Sequence, residues 1–264
     1  SVKFEVALGA VTFGDILQAS NCAFTAPTDT LSAKIMSVSA LSAMAQICQF
    51  ELEQSFVSLQ MAQGSNGDFT VANFMNFYWS EMANSINGSI ETLRWQGDTG
   101  ALTPALNLCN GYEVQLAGDI DVIPYSMTAT PTFAQLLTDL EAAFALVPAN
   151  IASRTADLRI YLPTQLVNIY RLGVASGNTQ AYITQDLGLT YLGIKIVLCP
   201  GMSNDHLVIT LKDNLCYLFD AESDPSDLRA VNLSDTVAEP YLRTRANMKV
   251  GFNYVNPTDI VFGS

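Results

Sequence analysis

The chain is short of charge. Only 14% of its 264 residues are Asp, Glu, Lys or Arg, against roughly 25% in an ordinary soluble domain, while 49% are hydrophobic. A freely soluble monomer needs more surface charge than this, so much of the surface is expected to meet other protein. Cations are the scarcest: 12 Lys and Arg stand against 25 Asp and Glu, for a net charge of −13. No Lys/Arg cluster occurs along the chain, which argues against a nucleic-acid-binding module. A single histidine, His206, excludes a multi-histidine metal site and leaves no spare base for a His-based triad. Long apolar runs are lacking too: none approaches the ~18 residues that span a bilayer. The opening "SVKFEVALGAV" does not have the form of a signal peptide; a chain starting at Ser1 is expected to have lost an initiator Met or a longer precursor segment. The cysteines (Cys22, Cys48, Cys109, Cys199, Cys216) are odd in number, far apart and without Cys-x-x-Cys spacing. They read as reduced, mostly buried thiols of a protein made in cytoplasm.

What is present is an α+β pattern, with runs of helix and runs of strand. Residues 1–33 mix Gly, Ser, Thr and Ala with scattered apolar positions and read as an extended arm followed by a projecting, strand-rich loop. "LSAKIMSVSALSAM" (31–44) continues that loop on its return. A short helix is expected from about Phe50 to Met61, ended by the turn residues "AQGSNGD". Phe74, Tyr78, Met82, Ile86, Ile90 and Leu93 then form one stripe of a helix over about 71–95. At ~1.5 Å per residue it is roughly 40 Å long, the length of a spine rather than of a helix in a small globule. Gly97 stands just past its end. Further on, Thr130-Pro131 reads as a cap with proline at the first helical position, opening a helix to about Val147, with Phe133, Leu136, Leu137, Leu140 and Phe144 inward. "LRIYL" (158–162) reads as a buried strand, with a helix from Pro163 to about Val174. "GIKIVLCP", "HLVITLK" and "NLCYLFD" read as strands. In "KVGFNYV", Val250, Phe252 and Tyr254 alternate as in a half-exposed antiparallel strand.

Three places invite chemistry. Asp98-Thr99-Gly100-Ala101 matches the catalytic loop of retroviral-type aspartic proteases, which need two carboxylates sharing one proton on strand-supported loops. Here the triplet follows a long helix and no apolar strand feeds it, so the expectation is a helix-stopping turn. His206 sits in "SNDHLVI", where nothing supports a nucleophile; a turn-to-strand residue is expected. The run "DAESDPSD" spaces acids as a calcium loop does at its first, third and fifth positions. However, Pro225 stands where glycine is needed and Val231 where a bidentate Glu is needed, so a solvated loop is expected. No Walker-type loop, Gly-x-Gly-x-x-Gly or serine elbow is present, and neither catalytic residues, cofactor nor metal are expected.

With this order laid out, the chain resembles the major capsid proteins of tailed bacteriophages, the Hong Kong 97-type fold. The resemblance rests on the helix closing in "SIETLRWQGDTG", on "DLRIYLPTQLVNIYRL" as strand then helix, on "LTYLGIKIVLCPGM" as an apolar strand closing on proline, and on "DNLCYLFDAESD". The last stretch, "YLRTRANMKVGFNYVNPTDIVFG", is similar to that family's closing antiparallel strands. It covers roughly residues 34–264. It implies an N-terminal arm (1–12), an extended loop (13–40), a peripheral domain with the spine helix (41–103), an axial domain (104–233) and closing strands returning to the peripheral domain (234–264). It also implies a structural, non-enzymatic subunit of an icosahedral virion shell. Its partners would be copies of itself in hexamers and pentamers, a portal, and scaffolding or decoration proteins. The shell would enclose double-stranded DNA without binding it specifically.

Encapsulins, cellular compartments of the same fold, are the close alternative; from a different class, a dimeric aspartic protease is the rival. Arg243 and Arg245 lie two apart on an expected strand and so share a face. They are candidate inter-subunit contacts, with Glu81 and Glu91 on the spine helix or Asp220, Glu222 and Asp224 of a neighbouring copy as possible partners.

Overall fold

The computed structural model describes residues 5–12, 30–48, 71–177, 189–219, 228–233, 239 and 241–264; the helix expected near 50–61 and the acidic run 220–227 lie outside them. In chain order the elements are β1 (Glu5–Thr12), β2 (Thr30–Ser37), β3 (Ser39–Cys48), α1 (Val71–Gln96), α2 (Tyr112–Gly118) and β4 (Ile123–Tyr125). Then come α3 (Phe133–Ala145), α4 (Ala149–Ala152), β5 (Leu158–Pro163), α5 (Thr164–Gly177), β6 (Thr190–Tyr191) and β7 (Ile194–Cys199). The last are β8 (Leu207–Leu211), β9 (Leu215–Phe219), β10 (Leu228–Asn232), β11 (Tyr241–Tyr254) and β12 (Val261–Gly263).

The chain divides into two compact units, the first built mainly from 39–90 and 218–250, the second from 2–38, 91–217 and 251–264. In the first, β11 lies between β10 and β3, antiparallel to both. Up to Val250 its residues alternate: Leu242, Thr244, Ala246, Met248 and Val250 are buried, and the partners Ile47, Ala45, Ala43 and Leu41 are half-buried. This face packs on α1, where the Tyr78 hydroxyl lies 2.9 Å from Thr244 Oγ1 and Met82 Sδ 3.6 Å from it. The helix stripe is as expected over its described side chains: Tyr78 and Leu93 are buried, Met82, Ile86 and Ile90 half-buried.

The second unit holds a six-stranded mixed sheet, ordered β4-β12-β8-β5-β7-β6. β5 and β7 run parallel, connected through α5, and β8 is antiparallel to β5 and β12. Leu158, Ile160 and Leu162 of β5, Ile194 and Ile196 of β7, and Leu207 and Ile209 of β8 form one core with Leu136, Leu140 and Ala143 of α3 and Leu166 and Val167 of α5. Residues 5–12, expected as an arm, pair antiparallel with 30–37 in a two-stranded ribbon. Residues 261–263 enter the six-stranded sheet of the second unit.

Two local expectations need correction. The cap of α3 is Thr132, not Thr130: Gln135 N–H donates to Thr132 Oγ1 at 3.4 Å while Thr132 N–H donates to Gln135 Oε1 at 2.8 Å. This reciprocal capping box satisfies both the cap and the N3 amides, whereas a start at Thr130 would put Phe133, which has no acceptor, at N3; Thr130 takes a left-handed φ of 49° outside the helix. The end of β11 is not half-exposed. From Val250 to Tyr254 every residue is buried, because Phe252 is covered by Tyr112 and Tyr217, ring centroids 5.9 and 5.5 Å away, and Asn253 donates to the Ile35 carbonyl at 3.3 Å.

Candidate functional site

The end of the spine helix, from Glu91 on, belongs to the second unit. Glu91 Oε1 accepts from Arg94 Nη2 at 2.8 Å and from Trp95 Nε1 at 3.1 Å, and Trp95 is 1% exposed. One turn further, Gln96 Nε2 donates to the Gly201 carbonyl at 2.8 Å, in the turn that follows the proline-closed strand. The Asp98 turn then forms: Gly100 N–H donates to Asp98 Oδ1 at 2.8 Å, and Thr99 N–H and Oγ1–H both donate to Asn110 Oδ1 at 2.9 Å. Asp98 thus accepts a backbone amide as a turn aspartate does, and no second carboxylate shares its hydrogen bonds among the described residues.

His206 is partnered, which its sequence surroundings did not reveal. Glu113 of α2 is 6% exposed. It accepts from Ser203 N–H at 2.7 Å and Ser203 Oγ–H at 2.6 Å, and His206 Nδ1 stands 3.1 Å from its Oε2. The two form an ion pair whenever the imidazole is protonated. Burial draws the His206 pKa down, but Glu113, with Asp205, outweighs it and holds the imidazole above its usual value. Ser203 gives its proton to Glu113, not to His206, so the trio is a clamp on the 200–206 turn rather than a nucleophile and its base.

A second polar lock sits at the root of the ribbon. Tyr254 Oη–H donates to Asp119 Oδ2 at 2.6 Å, Lys34 Nζ lies 3.6 Å from the same oxygen and 3.5 Å from the centre of the Tyr254 ring. The tyrosine hydrogen bond, then the Asp121 amide and Lys34, hold the Asp119 carboxyl below its ordinary range against a smaller opposing effect of burial.

Arg243 and Arg245 are both exposed on β11. Arg243 Nε–H donates to Gln46 Oε1 at 2.6 Å, and Arg245 Nε–H to Asn247 Oδ1 at 2.9 Å and Ser42 Oγ at 3.3 Å. Thr244, between them, faces α1, so the arginines face away from the spine helix; Glu91 is in any case engaged by Arg94. Asp220, Glu222 and Asp224 lie outside the described residues. Large apolar side chains also stand in solvent, among them Leu102, Ile120 and Met44 at 100%, 97% and 71% exposure. An isolated chain gains nothing from that, whereas an assembling one buries it.

No family model and no curated protein matches the chain. Solved structures do. It is similar to a chain of the satellite phage P4 procapsid including size determination (Sid) protein, at TM-score 0.57 and 13% identity over 97% of this chain and 89% of that one. A chain of Mycobacterium phage Che8 is similar at TM-score 0.58 and 13% identity, over 100% and 85% of the two chains. A chain of a virus-like particle from Pyrococcus furiosus is similar at 0.54 and 9%, over 99% and 86%. With its ribbon, spine helix and two α+β units, the chain has the Hong Kong 97-type fold found in phage capsids.

Proposed function

We propose that this chain is the major capsid protein of a tailed bacteriophage, assembling with copies of itself as pentamers and hexamers into the icosahedral shell around a double-stranded DNA genome. The observation that carries the reading is the span of the match: 97% of this chain and 89% of a procapsid chain superpose. The likeness therefore extends over nearly all of both chains and not over one module of either. On this reading the β1–β2 ribbon is the extended loop, the sheet of β3, β10 and β11 with α1 is the peripheral domain, and the six-stranded sheet is the axial domain. Low charge and exposed Leu102, Ile120 and Met44 are what a surface destined for burial requires. The role is structural; a portal, and scaffolding or decoration proteins, are the further partners. The test is negative-stain microscopy of the purified chain concentrated at neutral pH. Closed icosahedral particles are the expected result. A stable monomer or dimer with peptidase activity sensitive to a pepstatin-type inhibitor would overturn it.

A further inference from the structure

Cations scattered along the chain come together on one face of the sheet in the first unit. Directly opposed residues on neighbouring strands share a face, and the register places Arg229 opposite Arg245 opposite Met44. The next row is Val231, Arg243 and Gln46. In the other direction along β11, Asn247 opposes Ser42 and Lys249 opposes Ala40. Three arginines and a lysine therefore occupy the face opposite the one that packs on α1, and no carboxylate stands on it among the described residues. Arg229 and Arg245 are like charges in direct cross-strand opposition, an arrangement that weakens an isolated sheet. Arg243 and Arg245 give their Nε–H groups to neutral side chains, and none of the three arginines is in an ion pair with a described carboxylate.

We infer that this face is a docking surface for an acidic surface of a second copy of the same chain. The inference rests on the shell reading and names one of its contacts. Charge complementarity selects the occupant: four of the 12 cations lie on this face, while none of the chain's 25 acidic residues is a described residue of it. A second copy, with a net charge of −13, is acidic overall. The composition selects protein over nucleic acid. Met44 and Val231, 71% and 45% exposed, stand in the same rows as the arginines. Arginine with exposed apolar neighbours marks protein contacts, where lysine is depleted; the planar guanidinium also takes carboxylates two-pronged.

The experiment compares the full chain with R243Q/R245Q, R229Q/R245Q and the conservative R243K/R245K by sedimentation velocity over protein concentration and salt. Circular-dichroism melting of each serves as a folding control. The expected result is that both glutamine pairs raise the concentration needed for self-association by about tenfold or more. Their melting should stay close to that of the unaltered chain, with the lysine pair intermediate. Self-association of the unaltered chain should weaken as salt is raised. If it associates in this way without forming closed particles, the docking surface stands and the shell reading falls. Self-association unchanged in both glutamine pairs overturns the docking surface while leaving the shell intact. Duplex DNA binding that these substitutions abolish, measured by gel shift across salt, overturns it in favour of a nucleic-acid face.

Discussion

The amide of Gly111 donates to the carbonyl of Gly97 at 2.7 Å, and neither position has room for a side chain. A Cβ on Gly97 would strike the Cys109 carbonyl; one on Gly111 would lie 2.5 Å from the Trp95 carbonyl and 2.8 Å from that of Arg94. All of these are backbone atoms that cannot swing aside, so the segment leading into α2 crosses the end of the spine helix at main-chain distance. Gly97→Ala and Gly111→Ala should each cost about 2 kcal/mol or more, read as a lowered urea midpoint. Wild-type midpoints for both would mean that the crossing is looser than its hydrogen bond implies.

The Glu113–His206 pair makes stability depend on pH in a defined direction. Because the folded-state pKa of His206 is raised, its contribution is complete below the unfolded value of about 6.5 and is lost as pH rises through the folded value. Thermal melting of the unaltered chain should fall across that window, and His206→Gln should flatten the profile. Glu113→Gln should flatten it too, and lower melting at every pH by weakening the acceptor of the Ser203 hydroxyl. A slope surviving both substitutions would assign the pH dependence to other groups.

Asp119 acts with the opposite sign. Its pKa is depressed, chiefly by the Tyr254 hydroxyl, so its contribution is present above the unfolded carboxylate value of about 3.9 and is lost as pH falls through the folded one. Tyr254→Phe removes the donor and should cost about 1–2 kcal/mol near neutral pH, with a smaller deficit in acid. An equal deficit at all pH values would mean that the loss is packing alone.

Asp98→Asn keeps an oxygen that can accept from the Gly100 amide, so it should cost at most about 1 kcal/mol and leave particle formation unchanged in electron micrographs. Detection of a peptidase activity that this substitution abolishes would end the structural reading of the turn.

Burial pushes the Cys109 thiol up to about 11 and Cys199 to about 12. Neither should react with an aromatic disulfide reagent at pH 8 in the folded chain, and both should react once it is unfolded in denaturant. Prompt native-state modification of either, located by mass spectrometry, would show that its site opens.

Local periodicity carried much of the architecture. The spacing of Tyr78, Met82, Ile86, Ile90 and Leu93 dictates one stripe on a helix; "LVITL" is a strand buried on both faces, and "LRIYL" one that buries Leu158, Ile160 and Leu162 and leaves Arg159 and Tyr161 half-buried. The Asp98 turn was legible for the same reason, since its hydrogen bond to Gly100 spans two residues. The α3 cap was misplaced because Thr130-Pro131 and Thr132-x-x-Gln135 are both start signals, and only the backbone, left-handed at Thr130, decides between them.

What depends on contacts between distant segments was beyond the sequence. Glu113 and Ser203 are 90 residues apart, and nothing near either announces the other. β11 reads as one alternating strand, yet its last residues are buried on both sides because Tyr112 and Tyr217 arrive from elsewhere. The absence of a Lys/Arg run argued against a nucleic-acid-binding module, and along the chain that absence is real. Antiparallel register nevertheless sets Arg229 opposite Arg245 and carries the row on through Arg243 and Lys249. Composition determined that the chain is poor in cations and that its surface is made to be covered. Alternation along β11 already gives Arg243, Arg245 and Lys249 one face; only strand pairing, which converts separation along the chain into adjacency across about 5 Å, set Arg229 beside them.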